Sequence, residues 1–433
     1  MPGMTNDRGM TSDPGMTDDP VKAQYEAFPY PARDPRDEAK RLVVGSPSHL
    51  LEINHYVFAG RRDFGRPFRV LFAGGGTGDG TVMLAHQLAE RGVPAEIVYL
   101  DLSTASRAIA EARARQRRLS GIEFRTGSLL DLPSLGLPPF DYIDCCGVLH
   151  HLDDPAAGLA ALASALAPGG GMGLMLYGAL GRTGVYHVQA ILRALAGDLA
   201  IRERPAFARR LLEQLPRENW FNLNPFLGDH RTGGDAGLYD LLLHERDRAF
   251  TVPEIVDLLS GAALAPAAFI EPARYEPASY VNDPQIRRRL AGKSWLERAA
   301  LAELIAGNMT KHVVYAVPAA RAADAVARPT PESVPVFREA DGQQLARGLR
   351  PAATLRAQFE TIMLRLPMPA LAPAIASRID GIASLAAIQR DLQANVQASL
   401  DWPAFLAQFE PFYAAFNGIN QLLLRFPPGV ASA

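Results

Sequence analysis

A cluster of glycines directly after an apolar stretch is the feature that most constrains this chain. Residues 70–81 read Val-Leu-Phe-Ala-Gly-Gly-Gly-Thr-Gly-Asp-Gly-Thr and contain five glycines. Because each glycine costs conformational entropy on folding, such a cluster indicates a tight turn or a close approach of the backbone to a ligand. The flanking sequence predicts a buried strand over Phe68–Ala73 and an amphipathic helix over Thr81–Glu90. Strand, loop and helix in this order point backbone amides at whatever lies above the strand.

The spacing of the glycines distinguishes two kinds of nucleotide-binding loop. Gly74, Gly76 and Gly78 follow the pattern G-x-G-x-G. Nicotinamide and flavin binders use G-x-G-x-x-G, and Asp79 stands where that pattern requires glycine or alanine. By itself the loop is also compatible with a simple tight turn, so its interpretation depends on the chain that follows.

Length and composition indicate a globular protein of more than one domain. The chain has 433 residues, which is long for a single core, with 48% apolar and 21% charged residues. A net charge of -2 gives no electrostatic reason to expect a nucleic-acid or membrane surface. The two cysteines, Cys145 and Cys146, are neighbours on a predicted strand and point to opposite faces, so we expect reduced thiols and a cytoplasmic protein. We find neither a membrane-spanning apolar stretch nor a signal peptide in the sequence.

Regular alternation of strands and helices predicts an α/β fold. After the glycine loop, helical patterns separate further apolar runs that read as strands at 95–101, 122–126, 140–146 and 172–177. Strands that alternate with helices of this length form a parallel sheet covered on both faces. We therefore predict a doubly wound, mostly parallel sheet.

The remaining segments predict an elaborated two-domain chain. Residues 1–20 are polar and glycine-rich and predict a disordered leader, and 21–317 form the first domain. Within it, 178–271 predicts a helical insertion before a last strand at Lys311–Val317. Residues 318–335 predict a linker, and 336–433 a mainly helical accessory domain.

The accessory domain is expected to serve packing or protein interaction. Its helical periods include Thr354–Leu366 and Trp402–Phe416. The run Arg378–Ile388 suggests the helix, turn and capped helix of a degenerate winged-helix unit. Basic and acidic side chains nearly balance in this part of the chain, so DNA binding is not expected.

Two segments after the glycine loop supply further candidates for a nucleotide site. Asp101 ends the second strand, 23 residues after Gly78, where its carboxylate can accept hydrogen bonds from ribose hydroxyls. The alternative role for Asp101 is a helix N-cap, for which Ser103 is as well placed. The loop Gly127–Pro133 mixes polar and apolar residues in a way that suits an adenine ring.

Five elements of the chain occur together in the order and spacing of one enzyme family: residues 70–78, Asp101, 127–133, the run Gly147–Pro155 and the run Leu166–Gly170. Over about residues 68–177 the chain resembles the class I S-adenosylmethionine-dependent methyltransferases. The resemblance implies a Rossmann-like sheet of seven strands, with Lys311–Val317 as an antiparallel strand at its edge. It also implies S-adenosyl-L-methionine as the cofactor.

The resemblance assigns seven residues to the cofactor. It implies Gly74, Gly76 and Gly78 along the methionine moiety, Asp101 on the ribose, Ser128 and Leu129 beside the adenine, and Gly147 beneath the cofactor. Two positions depart from the family pattern. Phe72 stands where an acid often precedes the first glycine by two residues, and Ser128 stands where the adenine loop often has Asp, which leaves Asp131 as a substitute.

The sequence does not identify a catalytic residue. Methyl transfer needs alignment and, for some acceptors, removal of a proton. His150 and His151 follow the fourth strand and Tyr177 ends the fifth, so these three are candidates, although the histidines are also placed to pack on the next helix. A metal site at His244–Asp247 lacks a familiar ligand spacing, and no metal is predicted.

The leading hypothesis is methyl transfer from S-adenosylmethionine to an acceptor that the sequence does not identify. A small molecule or a protein is favoured over nucleic acid because the chain is nearly neutral. The alternatives are an NAD(P)-dependent oxidoreductase and a methyltransferase-like binding protein without catalysis. The aromatic segment 21–34, with Tyr25, Tyr30 and Arg33, is expected either to close over the cofactor or to pack outside the sheet.

Overall fold

The fold is described from a computed structural model, which covers residues 19–359 and 362–427. The leader expected over 1–20 lies outside these ranges except for Asp19 and Pro20. Within the described ranges, no helix has the length and apolar character needed to cross a membrane.

A seven-stranded sheet forms the centre of the first domain. Its strands follow the spatial order β3-β2-β1-β4-β5-β7-β6, so the strand order reverses between β1 and β4. Strand β7 runs antiparallel to both of its neighbours. The strands are β1 (Phe68–Ala73), β2 (Ala95–Asp101), β3 (Ile122–Thr126), β4 (Phe140–Cys146), β5 (Leu166–Tyr177), β6 (Leu264–Phe269) and β7 (Lys311–Pro318).

The sheet confirms the predicted fold class and corrects the position of one strand. Lys311–Val317 is antiparallel as expected, but it lies inside the sheet between β5 and β6. The edge strand on this side of the sheet is β6, which falls within the range 178–271 that was predicted to be helical. Its sequence, Leu-Ala-Pro-Ala-Ala-Phe, contains a proline and few β-branched or aromatic residues, so it carries little strand signal.

Helices cover both faces of the sheet and also occur in the insertion and in the C-terminal part. Polar side chains cap the helices that follow β2 and β4; they are Ser103, as expected from the sequence, and Asp154. The helices are α1 (Pro20–Ala27), α2 (Leu50–Val57), α3 (Asp79–Glu90), α4 (Thr104–Gln116), α5 (Pro155–Ser164), α6 (Val185–Ala196), α7 (Arg204–Gln214), α8 (Trp220–Leu223), α9 (Asp229–Thr232), α10 (Gly234–Leu238), α11 (Val252–Gly261), α12 (Pro284–Ala291), α13 (Trp295–Ala306), α14 (Gly342–Gly348), α15 (Ala372–Ala376), α16 (Leu385–Asn395) and α17 (Trp402–Gly418).

Alternating residues of the strands divide the core into two layers. On one face, Leu71 and Ile143 pack against apolar residues of α5, α11 and α13. On the other face, Phe72 and Tyr142 pack against α2 and α3. This alternation is the period of two that a strand buried on both sides requires.

The insertion has a small core of its own that also receives the N-terminal segment. Helices α6 to α8, α10 and the π-helical turn Tyr239–Leu243 bury apolar side chains against one another. Phe28 stacks on Tyr239 with ring centroids 4.9 Å apart. The aromatic segment after α1 is thereby attached to the insertion.

The C-terminal part contains strands that the helical prediction missed. Thr354–Leu366 is not a helix: Thr354–Phe359 (β9) and Ile362–Pro367 (β10) pair in antiparallel register. Apolar side chains alternate with polar ones along β9, and buried side chains alternate with exposed ones along β10, which is a strand period rather than a helical one. Val334–Phe337 (β8) pairs with Leu422–Arg425 (β11), so the segment expected to be a linker ends in a strand.

Buried polar contacts join the C-terminal part to the first domain. Arg338, just after β8, forms an ion pair of 2.7 Å with Glu52 of α2. Asn420 donates a hydrogen bond of 2.9 Å to the same carboxylate. Arg321 donates to the carbonyl groups of Gly169 and Gly170 at 2.6 and 2.8 Å, so the segment before β8 is also held against the sheet.

Candidate functional site

A cavity of about 450 Å³ lies beyond the carboxyl ends of β1, β2 and β4, where the strand order reverses. This is the position at which open α/β sheets bind ligands, and the volume lies within the range of ligand pockets. All seven residues that the sequence assigned to a cofactor line it: Gly74, Gly76, Gly78, Asp101, Ser128, Leu129 and Gly147. Of the three catalytic candidates, His151 and Tyr177 line it as well.

His150 lies behind the cavity wall. Its ring stacks on Tyr177 with centroids 3.9 Å apart. Burial lowers the pKa of His150 well below its ordinary value, and neither ring nitrogen has a hydrogen-bond partner within the described ranges. His150 therefore packs against the site rather than facing it.

The glycines of the loop differ in what a side chain would meet. All three have positive φ values, +78° at Gly74, +52° at Gly76 and +95° at Gly78. A Cβ atom at Gly74 would collide with Val148, and one at Gly78 would lie 2.9 Å from the Cβ atom of Ala110. At Gly76 the nearest atom is the Tyr30 carbonyl oxygen at 3.4 Å. Packing thus requires two of the glycines, and Gly76 is the one that borders open space.

Asp101 holds the glycine loop against the start of α4. Its Oδ2 atom accepts a hydrogen bond from the Gly76 amide at 2.7 Å, and its Oδ1 atom accepts one from the Ser103 amide at 2.8 Å. The helix cap itself is Ser103, whose hydroxyl accepts from the Ser106 amide at 3.0 Å. Burial raises the pKa of Asp101. Each carboxylate oxygen keeps a second lone pair for a ligand in the cavity.

The loop after β3 forms an adjoining wall of the cavity. The Ser128 hydroxyl accepts a hydrogen bond of 3.1 Å from the Leu130 amide and so begins a short 3-10 helix. Leu129 is buried and presents an apolar surface to the cavity. Asp131, considered as a substitute for the family's acid, is exposed on the outer side of this loop.

The N-terminal segment closes the cavity from above. Tyr25, Tyr30 and Arg33 line it, and the Thr77 hydroxyl donates a hydrogen bond of 2.8 Å to the Pro31 carbonyl. Arg33 binds both carboxylate oxygens of Asp79, at 2.8 and 2.5 Å. The segment is thereby fastened to the glycine loop and to the start of α3.

A buried carboxylate and two tyrosines stand at the end of the cavity formed by the insertion. Tyr177 donates a hydrogen bond of 2.6 Å to Asp240 Oδ2, and Tyr25 donates one of 3.3 Å to Oδ1. Asp240 lies on the π-helical turn and is 3% exposed. Burial raises the pKa of Asp240 to about 7. The carboxylate can therefore take up or release a proton near neutral pH.

The main chain of Arg246 fixes the two histidines beside Asp240. His151 Nδ1 donates to the Arg246 carbonyl at 2.8 Å, which leaves the lone pair of the ring on Nε2. The Arg246 amide donates to His244 Nδ1 at 3.0 Å, which puts the His244 proton on Nε2, 3.1 Å from the Tyr25 hydroxyl. Burial lowers the pKa of His151 to about 4, so its ring is neutral at pH 7.

Three side chains at this end of the cavity are close enough together to be considered as metal ligands. His151, Asp240 and His244 bring ligand atoms within 4.8 Å of one another. In the observed hydrogen bonds, however, neither nitrogen of His244 has a free lone pair, because one accepts and the other carries the proton. The metal ligands considered from the sequence, within His244–Asp247, do not come together. Glu245 forms an ion pair of 2.5 Å with Arg204, and Asp247 forms one of 2.6 Å with Arg182.

Asp144 and Asp240 line the cavity but were not predicted from the sequence as site residues. Asp144 lies in the middle of β4, opposite Phe72 of β1, and is 5% exposed. Burial raises its pKa to about 6. An acid inside a predicted buried strand was the available signal for Asp144. Asp240 stands in the run Tyr-Asp-Leu-Leu-Leu, where only an isolated acid among apolar residues marks it.

Comparisons with known proteins agree with this geometry. The family model described as a methyltransferase domain matches residues 71–172. An uncharacterized protein of Synechococcus sp. is 32% identical over 304 residues, which span 67% of this chain and 69% of that protein. The ubiquinone biosynthesis O-methyltransferase of Alkalilimnicola ehrlichii is 31% identical over 126 residues, 29% of this chain and 47% of that enzyme.

A solved structure shares the fold over most of the chain. PKMT2 from Rickettsia typhi superposes with a TM-score of 0.59 at 14% identity, covering 87% of this chain and 75% of that one. The structure of that protein in complex with AdoHcy superposes with a TM-score of 0.56, also at 14% identity, covering 88% and 77%. The matched residues 71–172 include the glycine loop and Asp101, and the solved structures share the fold. The chain belongs to the class I S-adenosylmethionine-dependent methyltransferases.

Proposed function

We propose that this enzyme methylates an amine or hydroxyl group that enters the cavity beside Asp240 and loses a proton there. The observation that carries the proposal is a buried carboxylate with a pKa of about 7 on the same cavity as the glycine loop. A general base is most effective when its pKa lies near the working pH.

The cofactor end of the cavity is assigned to the glycine loop, to Asp101 and to the loops that follow β3 and β4. In this proposal Gly76 leaves room for the methionine moiety, and Asp101 accepts hydrogen bonds from the ribose hydroxyls. Ser128 and Leu129 flank the adenine, and Gly147, with a φ of +80°, lets the chain turn beneath the cofactor. When bound, S-adenosylmethionine supplies a methyl group that is already activated for transfer.

The acceptor end is assigned to Tyr25, Tyr177 and Asp240. The two hydroxyl groups hold the carboxylate oxygens of Asp240 at fixed positions on the cavity wall. The proton released by the acceptor then passes to Asp240. His151 offers a neutral Nε2 lone pair next to the same wall and is the second candidate for this proton.

The test is methyl transfer from radiolabelled S-adenosylmethionine to a panel of amines and phenols. Asp240→Asn should lower the rate with a responsive acceptor by about 10²–10⁴-fold, the usual contribution of a general base. Asp257→Asn, a matched change at an exposed position of α11 away from the cavity, should leave the rate unchanged. Full activity of the Asp240 variant would contradict the proposed role.

The N-terminal segment is proposed to act as a lid. Its tyrosine and arginine contacts connect the insertion, the glycine loop and α3, so ligand entry requires some of them to open. Limited trypsin digestion should cut after Lys22 and Arg33 more slowly when S-adenosylhomocysteine is present. Lys293, exposed between α12 and α13, serves as the reference site. Equal protection of all three sites, or none, would argue against a lid.

A further inference from the structure

A second buried acid lies in the cavity away from the ribose acid. Asp144 of β4 borders the cavity beneath the first turn of α3, where a Cβ atom at Gly80 would stand 3.7 Å from its Oδ2 atom. The β1–β4 register places Asp144 directly opposite Phe72. Phe72 is the position at which the sequence lacks the acid that often precedes the glycine loop. The Asp144 carboxylate therefore lies on the strand next to Phe72, at the same position along the sheet.

The carboxylate of Asp144 forms no ion pair with a side chain in residues 19–359 or 362–427, and it accepts a hydrogen bond from the Ser48 hydroxyl. An ionised carboxylate that is 5% exposed is costly without a counter-charge. A valine or isoleucine at this position of a central strand would avoid that cost. The carboxylate thus indicates a cationic group in the ligand.

The residue that orients Asp144 is itself held in an uncommon conformation. Ser48 has a φ of +83°, a backbone angle that residues other than glycine seldom adopt. The Ser48 amide donates a hydrogen bond of 3.1 Å to the Tyr315 hydroxyl, and its own hydroxyl lies 3.1 Å from that of Tyr142. These buried contacts fix the Ser48 side chain against Asp144. Such local strain is typical of residues that position a binding group.

We propose that Asp144 binds the α-ammonium group of the methionine moiety of S-adenosylmethionine. This inference rests on the cofactor position proposed above, with the ribose at Asp101 and the methionine moiety along Gly76. The ammonium group is small and strongly charged, and it can donate to a carboxylate at the buried end of the cavity. Asp144 thereby replaces the acid that Phe72 does not provide.

The test compares two ligands on two proteins by calorimetric titration. The ligands are S-adenosylhomocysteine and its analogue without the α-amino group, neither of which carries the sulfonium charge. The wild type should bind S-adenosylhomocysteine at least tenfold more tightly than the analogue, as expected for a close charge pair. In Asp144→Asn the two affinities should lie within about threefold of each other, because the coupling between the two groups is lost.

Controls separate this inference from the cofactor assignment and from misfolding. Asp101→Asn should weaken both ligands by the same factor and keep the preference for the amino group. Asp144→Asn removes a buried charge, so its unfolding temperature without ligand should equal or exceed that of the wild type. Asp144→Val should lose the same discrimination between the ligands.

Two results would overturn the inference in different ways. A wild type that binds S-adenosylhomocysteine, but with a preference that survives in both Asp144 variants, contradicts the role of Asp144 alone. A wild type that binds neither ligand contradicts the proposed cofactor position together with it.

Discussion

Replacing Asp240 by asparagine should make the protein more stable at alkaline pH while it loses activity. Burial raises the pKa of Asp240 from 3.8 to about 7. The folded protein therefore holds this proton more tightly than the unfolded chain. Between about pH 4 and about pH 7 this group is ionised in the unfolded chain but still protonated in the folded protein, so the free energy of unfolding falls as pH rises. Asparagine does not ionise and avoids this cost.

The size of the effect follows from the difference between the folded and unfolded pKa values. At about 1.4 kcal/mol per pH unit, a difference of about three units corresponds to about 4 kcal/mol over the whole range. Between pH 5 and pH 8 the wild type passes through about two of these three pH units, and Asp240 lowers its free energy of unfolding by about 3 kcal/mol. The side-chain amide oxygen of asparagine still accepts a hydrogen bond from one of the two hydroxyl groups, Tyr25 or Tyr177, so the variant should fold.

The assay is urea unfolding of both proteins at pH 5 and pH 8. Other titrating groups affect both proteins alike and cancel in the difference between them. That difference should move in favour of Asp240→Asn by about 3 kcal/mol from pH 5 to pH 8. A difference that does not depend on pH would refute a raised pKa at Asp240 and with it the proposed base.

Three further changes test other parts of the site and its support. Gly76→Val should weaken S-adenosylmethionine binding at least tenfold, about 1.4 kcal/mol or more, because the side chain enters the cavity; Gly92→Val, at another positive φ but with no atom within 4 Å of its Cβ, should leave binding unchanged. Asp101→Ala should cost about 1–3 kcal/mol of cofactor affinity in a titration, and equal binding of 2′-deoxy and normal cofactor analogues to the wild type would exclude the ribose contact. Arg338→Met should lower the free energy of unfolding by about 3–5 kcal/mol because it leaves the buried Glu52 carboxylate without its counter-ion, and adding Glu52→Gln, which removes the charge and keeps an acceptor for Asn420, should restore most of that loss.

Local sequence signals were sufficient for the first half of the sheet. The strand before the glycine loop, the helix after it and the cap at Ser103 are each encoded within a few neighbouring residues. The position of Asp101 on the cavity followed in the same way, because the carboxyl ends of adjacent parallel strands meet at one edge of the sheet. These elements carry the family resemblance.

Elements with weak or mixed periods were misjudged. Strand β6 is short and rich in alanine and proline, so only its pairing with β7 makes it a strand. In Thr354–Leu366 polar and apolar side chains alternate only over Thr354–Phe359, and the apolar run 362–364 that follows obscures the strand period. Context decides strand formation more than propensity does.

The acceptor side of the cavity could not be read from the sequence because it is built from distant segments. Tyr25 and Asp240 form a hydrogen bond across 215 positions of the chain. His151 and His244 stack with ring centroids 3.6 Å apart, and nothing in their local sequences indicates it. Such contacts depend on how the N-terminal segment and the insertion fold over the sheet.

Calorimetric titration of the wild-type protein with S-adenosylhomocysteine, and separately with NADH, tests the central claim most directly. The structure places a G-x-G-x-G loop and the Asp101 carboxylate on one cavity. We expect S-adenosylhomocysteine to bind with one-to-one stoichiometry and NADH to give no binding heat. Binding of NADH without binding of S-adenosylhomocysteine would contradict the account of this cavity as a methyltransferase site.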